Sequence, residues 1–288
     1  MKKLKGTFAL VLALTMLLST AAGFAEEAAK PVLLVVSFGT SYNDSREATI
    51  GAIEAALADA YPEYEVRRAF TAQIVIDILA ERDGLAIDNV TEAMDRLVAD
   101  GVKDVVLQPT HIMNGFEYED VLAEVAPYAE SFDSFKIGAP LLTSDADFDL
   151  VAAAITAGTV DHNAEDTAIA FMGHGTEHEA NAVYAKLQTT LADAGYANYF
   201  IGTVEAEPSL DEVLASVQAS GASKVVLLPL MVVAGDHATN DMAGDDEDTW
   251  KSVFEAAGFE VTCVLEGLGQ NAAIRQIYID HVADAIAQ

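Results

Sequence analysis

The sequence predicts an α/β protein of two similar domains, each a four-stranded parallel sheet flanked by helices. Three observations carry this expectation. Short apolar runs alternate with longer helical patterns, two stretches of the chain repeat one another without gaps, and polar residues follow the apolar runs at matching places. The strand-like runs are Val32–Phe38, Tyr64–Phe70, Asp104–Pro109, Phe135–Ala139, Ala168–Met172, Tyr199–Val204, Lys224–Leu230 and Phe259–Val264. Helical segments lie between them. Ser45–Ala60 sets Ile50, Ile53, Ala56 and Leu57 at helical spacing. Asp211–Ala219 follows Pro208, a residue suited to a helix start. Asn271–Ala287 gathers Ile274, Ile277, Tyr278, Val282 and Ile286 on one face.

The repeat is the second argument. Gly101–Pro109 aligns onto Gly221–Pro229, and continuing that register pairs Gly115 with Gly235 and Glu117 with His237. Val36–Thr40 likewise aligns with Met172–Thr176, pairing Phe38 with His174. Four strands per half in the same order point to duplication, with a boundary near residues 142–165. The expected organisation is a leader over 1–25, a first domain over 26–150 and a second over 151–288 that carries the metal ligands. A ligand would sit in the cleft between the two domains.

The first residues read as a targeting segment. Lys2, Lys3 and Lys5 form a positive region, Phe8–Leu18 an apolar one, and Gly23-Phe24-Ala25 a small-residue cleavage site. This is the pattern of a secretory signal peptide, so the protein is expected to be exported, to the periplasm or another extracytoplasmic space. Cleavage after Ala25 moves the formal charge from −31 to −34. Such a surface repels nucleic acid and anionic lipid. The single cysteine, Cys263, excludes an intramolecular disulfide and any cysteine-cluster metal site.

Three residues follow strand-like runs as candidate ligands. His174 sits between Gly173 and Gly175, and flanking glycines let the backbone turn sharply and let a large group approach. His237 follows Gly235 and the apolar stretch Leu230–Val233, which would form an apolar wall beside a polar tip. Imidazole binds divalent first-row metals and accepts protons near neutral pH. Glu205 either completes a metal site or is a charge near the next helix start, and both readings stand. His178, four residues after His174, lies in a loop rather than on a helix because Gly175 intervenes. There is no phosphate-binding GxxxxGK[ST] loop and no strand-borne GxGxxG, so neither ATP nor a dinucleotide is expected.

The segments Leu34–Ser41, Arg68–Thr71, His111–Gly115, Phe171–Gly175 and Pro229–Ala238 together resemble the anaerobic sirohydrochlorin cobaltochelatase family, ATP-independent chelatases with a ferrochelatase-like fold. The resemblance spans nearly all of the chain after the leader. It implies a tetrapyrrole cleft between two chelatase-like domains and Co²⁺ as the substrate metal. It assigns His174, Glu205 and His237 to metal binding and catalysis, and Phe38, Gly39, Gly173, Gly235 and His111 to the neighbourhood of the macrocycle. His111 is additionally a candidate haem ligand at the interface of a homo-oligomer. Two functional readings follow: an enzyme inserting cobalt into a sirohydrochlorin-type tetrapyrrole, or an exported carrier of a metal, haem or metallated tetrapyrrole. Both require the two histidines to face one another across a single cavity.

Overall fold

The computed structural model describes residues 30–288. The proposed leader, 1–25, lies outside the described residues. The first sheet contains β1 (Val32–Ser37), β2 (Glu65–Phe70), β3 (Asp104–Pro109) and β4 (Ser134–Ile137); the second contains β5 (Thr167–Gly173), β6 (Tyr199–Thr203), β7 (Lys224–Pro229) and β8 (Glu260–Cys263). Every pairing is parallel. Strand orders are β2-β1-β3-β4 and β6-β5-β7-β8, the same arrangement twice. The central strands β1 and β5 are wholly buried, which is why they read as continuous apolar runs rather than alternating ones.

The repeat register survives at the level of single hydrogen bonds. Val36 pairs with Pro109 just as Met172 pairs with Pro229. Thr110 N–H donates to the Val36 carbonyl at 2.8 Å, and Leu230 N–H donates to that of Met172 at 2.8 Å. Glu119 N–H bonds the Gly115 carbonyl at 3.0 Å, and Thr239 N–H bonds that of Gly235 at 3.0 Å.

In the first half the helices are α1 (Asn43–Arg46), α2 (Ala52–Ala60), α3 (Gln73–Asp83), α4 (Val90–Ala99), α5 (Phe116–Val125) and α6 (Asp145–Gly158). A π-helical turn, Glu47–Gly51, joins α1 to α2, so the expected single helix over 45–60 contains a widened turn. The second half adds α7 (Ala182–Asp193), α8 (Leu210–Ser220), α9 (Trp250–Ala256) and α10 (Ala272–Ala287). Side-chain caps start several of them. Asn89 accepts from Glu92 N–H at α4, and Ser144 accepts from Asp147 N–H at α6.

The linear boundary at 150/151 does not coincide with a structural one. It falls inside α6, whose Phe148, Val151 and Ile155 share one apolar cluster with Tyr184, Leu187 and Leu191 of α7. The final helix does the reverse and returns to the first half. Tyr278 donates its hydroxyl to the Thr110 carbonyl at 2.8 Å, and Tyr61 donates to that of Ile279 at 2.6 Å. His281 sits between the Ala139 carbonyl and Asp147 Oδ1, at 3.0 and 3.1 Å. One core cluster therefore runs from Leu33 and Val35 through Tyr278 and Val282 to Ile169 and Phe171, tying the two sheets together.

Candidate metal centre

Parallel strands bring all their following loops to one edge of each sheet, where ligands gather in open α/β folds. The two loop edges touch across the chain. Gly235 approaches Thr40 so closely that an added Cβ would stand 3.1 Å from its hydroxyl, and the Tyr42 hydroxyl donates to Asp236 Oδ1 at 3.2 Å. His174 leaves the end of β5 and His237 begins the π-helical turn Ala238–Met242 after β7. Their rings meet edge to face, with centroids 4.8 Å apart. Glu205, after β6, brings Oε1 to 3.8 Å from His174 Nε2. The three residues place their ligand atoms within 4.8 Å of one another.

Hydrogen bonding fixes which nitrogen each imidazole presents. His174 Nδ1 lies 2.8 Å from the Gly175 carbonyl, which can only accept, so the proton is on Nδ1 and Nε2 keeps its lone pair. His237 Nδ1 lies 2.6 Å from Asp241 Oδ2, with the same consequence. A carboxylate behind a ligating histidine orients the ring and raises its basicity. The three side chains remain 47%, 55% and 33% exposed, so the constellation opens into a cleft rather than a closed structural site. On a tetrahedral ion, ligands at about 2.1 Å stand about 3.4 Å apart. Side-chain rotations that draw the three groups together from separations of 3.8 Å to at most 4.8 Å would close a site.

A fourth titratable group lies near His174. Glu117, at the start of α5, lies near enough to His174 for the imidazole to act on its carboxyl. The protein mass lining the cleft raises the Glu117 pKa, and His174 offsets part of that rise. The signal for Glu117 was present in the repeat, where it is the partner of His237. Asp241 carried a weaker one, its four-residue spacing from His237. Nothing local marks Tyr184, whose buried hydroxyl accepts from Gly175 N–H at 3.3 Å and whose pKa is pushed up to about 12.

Other expectations find different neighbours. The room left by the glycines is taken up by protein: a Cβ on Gly173 would meet the Tyr184 ring at 2.3 Å, and one on Gly39, at φ +101°, would meet Phe70 at 2.6 Å. Leu230–Val233 does not form an exposed apolar wall. Leu230 is 1% exposed, and Val232 and Val233 pack against core clusters, because the loop doubles as an inter-sheet contact. The exposed apolar groups at the loop edge are instead Phe38 and Phe116. His178 reaches across to α5, 3.4 Å from Glu119 Oε1 and edge-on to Phe116.

The His111 ring is buried within the chain. Both ring nitrogens are enclosed and without a hydrogen-bond partner among the described residues, and burial pushes its pKa down to about 4. An interface haem ligand needs an accessible ring nitrogen, which this packing denies. Its nearest charged group is Glu117, at 3.9 Å.

Comparison with known proteins agrees with this geometry. The family described as "Cobalt chelatase (CbiK)" matches residues 31–287. The chain is 42% identical over 257 residues to the sirohydrochlorin cobaltochelatase of Salmonella typhimurium, covering 89% of this chain and 97% of that one. It is 34% identical to sirohydrochlorin cobaltochelatase CbiKC of Nitratidesulfovibrio vulgaris, covering 90% and 91%. Among solved structures it is similar in fold to SirB from Bacillus subtilis with Fe³⁺ (TM-score 0.61, 12% identity, 90% and 96% covered). It is also similar to CbiX, the terminal enzyme of sirohaem biosynthesis in denitrifying bacteria (TM-score 0.55, 18% identity, 88% and 99% covered). Two matched sheets, a convergent His–Glu–His set and a family match over the whole described fold place this chain in the cobalt chelatase (CbiK) family.

Proposed function

We propose that this chain is an ATP-independent chelatase that inserts Co²⁺ into a sirohydrochlorin-type tetrapyrrole. The observation that carries the reading is the convergence of His174, Glu205 and His237, with both imidazoles anchored through Nδ1 so that each Nε2 is free. The two cobaltochelatase relatives support cobalt and sirohydrochlorin as the substrates.

The reaction exchanges one divalent ion for two pyrrole N–H protons. His174, His237 and Glu205 replace water around the incoming ion, and the open cleft leaves the remaining positions to the macrocycle. As the ion passes to the ring nitrogens, two protons leave. The freed imidazoles and the Glu117 carboxylate are the bases within reach. Phe38 and Phe116 offer apolar faces to the flat ring. Affinity alone favours nickel and copper over cobalt on such ligands, so cobalt specificity rests on geometry and supply.

The test is Co²⁺ and metal-free sirohydrochlorin followed by visible absorption, with nickel and ferrous iron in parallel. Repeated turnover that disappears in His174→Ala and in His237→Ala supports the chelatase. Stoichiometric uptake without turnover would overturn it in favour of a carrier. We place this chemistry outside the cytoplasm on the strength of the leader pattern in residues 1–25. Cell fractionation decides that point. Haem has no part in the reading, because His111 is enclosed.

A further inference from the structure

Four of the chain's six arginines line one surface groove, in a protein of formal charge −31. The groove, about 660 Å³, runs beside β2, the edge strand of the first sheet. None of its lining residues belongs to the metal centre. Three of the arginines have carboxylate partners. Arg67 pairs with Glu65 and Asp100, Arg68 with Glu54 through two nitrogens, and Arg96 with Asp88 likewise. In Arg68 and in Arg96, Nη1 makes no hydrogen bond among the described residues.

Arg46 is the exception. Its side chain is drawn into the wall, with the residue only 8% exposed, and its one hydrogen bond runs from Nη1 to Asn43 Oδ1 at 2.7 Å. It makes no ion pair among the described residues. Burial and the neighbouring Arg68 charge push its pKa down, and the carboxylates of Asp83 and Glu47, beyond ion-pair distance, offset only part of that. A buried cation without a direct ion pair is only partly compensated, and a bound anion would supply the missing partner.

We propose that this groove is an anion site, separate from the metal centre, in which Arg46 binds the oxyanion of a small carboxylate- or phosphate-bearing molecule. The planar guanidinium offers paired N–H donors that match either group. The groove volume suits a small ligand rather than a macromolecular surface. Because the whole chain repels anions, affinity for one has to come from this local arrangement.

The experiment is calorimetric titration of the metal-free full chain with citrate and, separately, inorganic phosphate at low ionic strength. One-site binding of either anion is expected, weakened about tenfold or more in Arg46→Gln. Preference for citrate assigns a carboxylate ligand, and preference for phosphate a phosphate ligand. Glu47→Gln removes a carboxylate from the groove wall and should tighten binding about threefold. That variant decides the matter if Arg46→Gln does not fold. Absence of binding by both anions at about 10 mM, undiminished binding in Arg46→Gln, or no tightening in Glu47→Gln would each overturn the proposal. Loss of binding in His174→Ala would also overturn it by moving the anion to the metal centre. No cobalt or tetrapyrrole enters the test, so its outcome is independent of the chelatase reading.

Discussion

The two halves share a backbone and differ at their tips. Ala72 N–H donates to the Phe38 carbonyl at 3.2 Å, and Glu205 N–H donates to the His174 carbonyl at 2.9 Å. Those bonds make Phe38 and Ala72 the counterparts of His174 and Glu205, while the shared loop register makes Glu117 the counterpart of His237. One half thus presents Phe, Ala and Glu where the other presents His, Glu and His. The same parallel-sheet edge can offer a macrocycle an apolar face or a metal its ligands, and side-chain identity alone decides which. Position comes from the fold and chemistry from three substitutions on it.

Breaking the tip proposed to hold the metal is expected to have the largest effect. Loss of one of the three proposed ligands in His237→Ala should lower Co²⁺ affinity and insertion rate by more than about 100-fold, read by calorimetry and by the absorption assay. A rate within a few-fold of the parent would remove the basis for assigning chemistry to the second half. Exchanging the tips should expose their opposite burial. Ala72 is 8% exposed and packs with Ile50 and Phe70, so Ala72→Glu should cost about 2–4 kcal/mol in denaturant unfolding. Glu205→Ala, at a solvent-facing position, should leave unfolding unchanged while weakening Co²⁺ binding.

The contact between the returning helix and the first half supplies the next effect. Asp147 is buried, which on its own raises its carboxyl pKa. Hydrogen bonds from Ser144 and Thr143 and the pairing with His281 outweigh that and hold the pKa below 3.8. A folded-state pKa below the unfolded one gives stabilisation that is complete above about pH 5 and lost as the pH falls through 4 and below. Asp147→Asn should destabilise the protein by about 2 kcal/mol at pH 7, with the deficit shrinking in acid. A constant deficit across that range would show that the pair contributes by shape alone.

The smallest expected effect separates proton transfer from metal binding. Glu117→Gln should slow insertion about tenfold with little change in Co²⁺ affinity. Because the Glu117 pKa is raised, the parent rate should fall as the pH drops through that value and the carboxylate is protonated. The variant should lack this acidic limb. If both profiles coincide, Glu117 is not the base.

Much of this was legible before the fold was known. Alternating apolar runs and helical patterns foretold eight strands, each found within two residues of the expected ends. Internal repetition supplied the register that single hydrogen bonds reproduce, and with it the partnership of Glu117 and His237. Glycine-flanked His174 and the loop around His237 pointed to the place where the two imidazoles meet, because loops at the strand ends of a parallel sheet share one edge.

Local sequence is blind to what depends on distant packing. Leu230–Val233 reads as a ligand wall, yet Leu230 is buried and Val232 and Val233 are half-buried against core clusters, because other parts of the chain supply surfaces to pack on. His111 reads as a reachable ligand, but tertiary packing encloses both of its ring nitrogens. Composition, periodicity and repetition determined the two-sheet architecture and singled out the strand-end residues proposed as ligands, since those depend on neighbours a few residues away. Only the tertiary structure decided that α10 closes the first half, that Asp241 orients His237, and that Arg46 lacks a carboxylate partner among the described residues. Those facts depend on which surfaces meet, and burial and counter-charge are properties of a meeting rather than of either strand or helix alone.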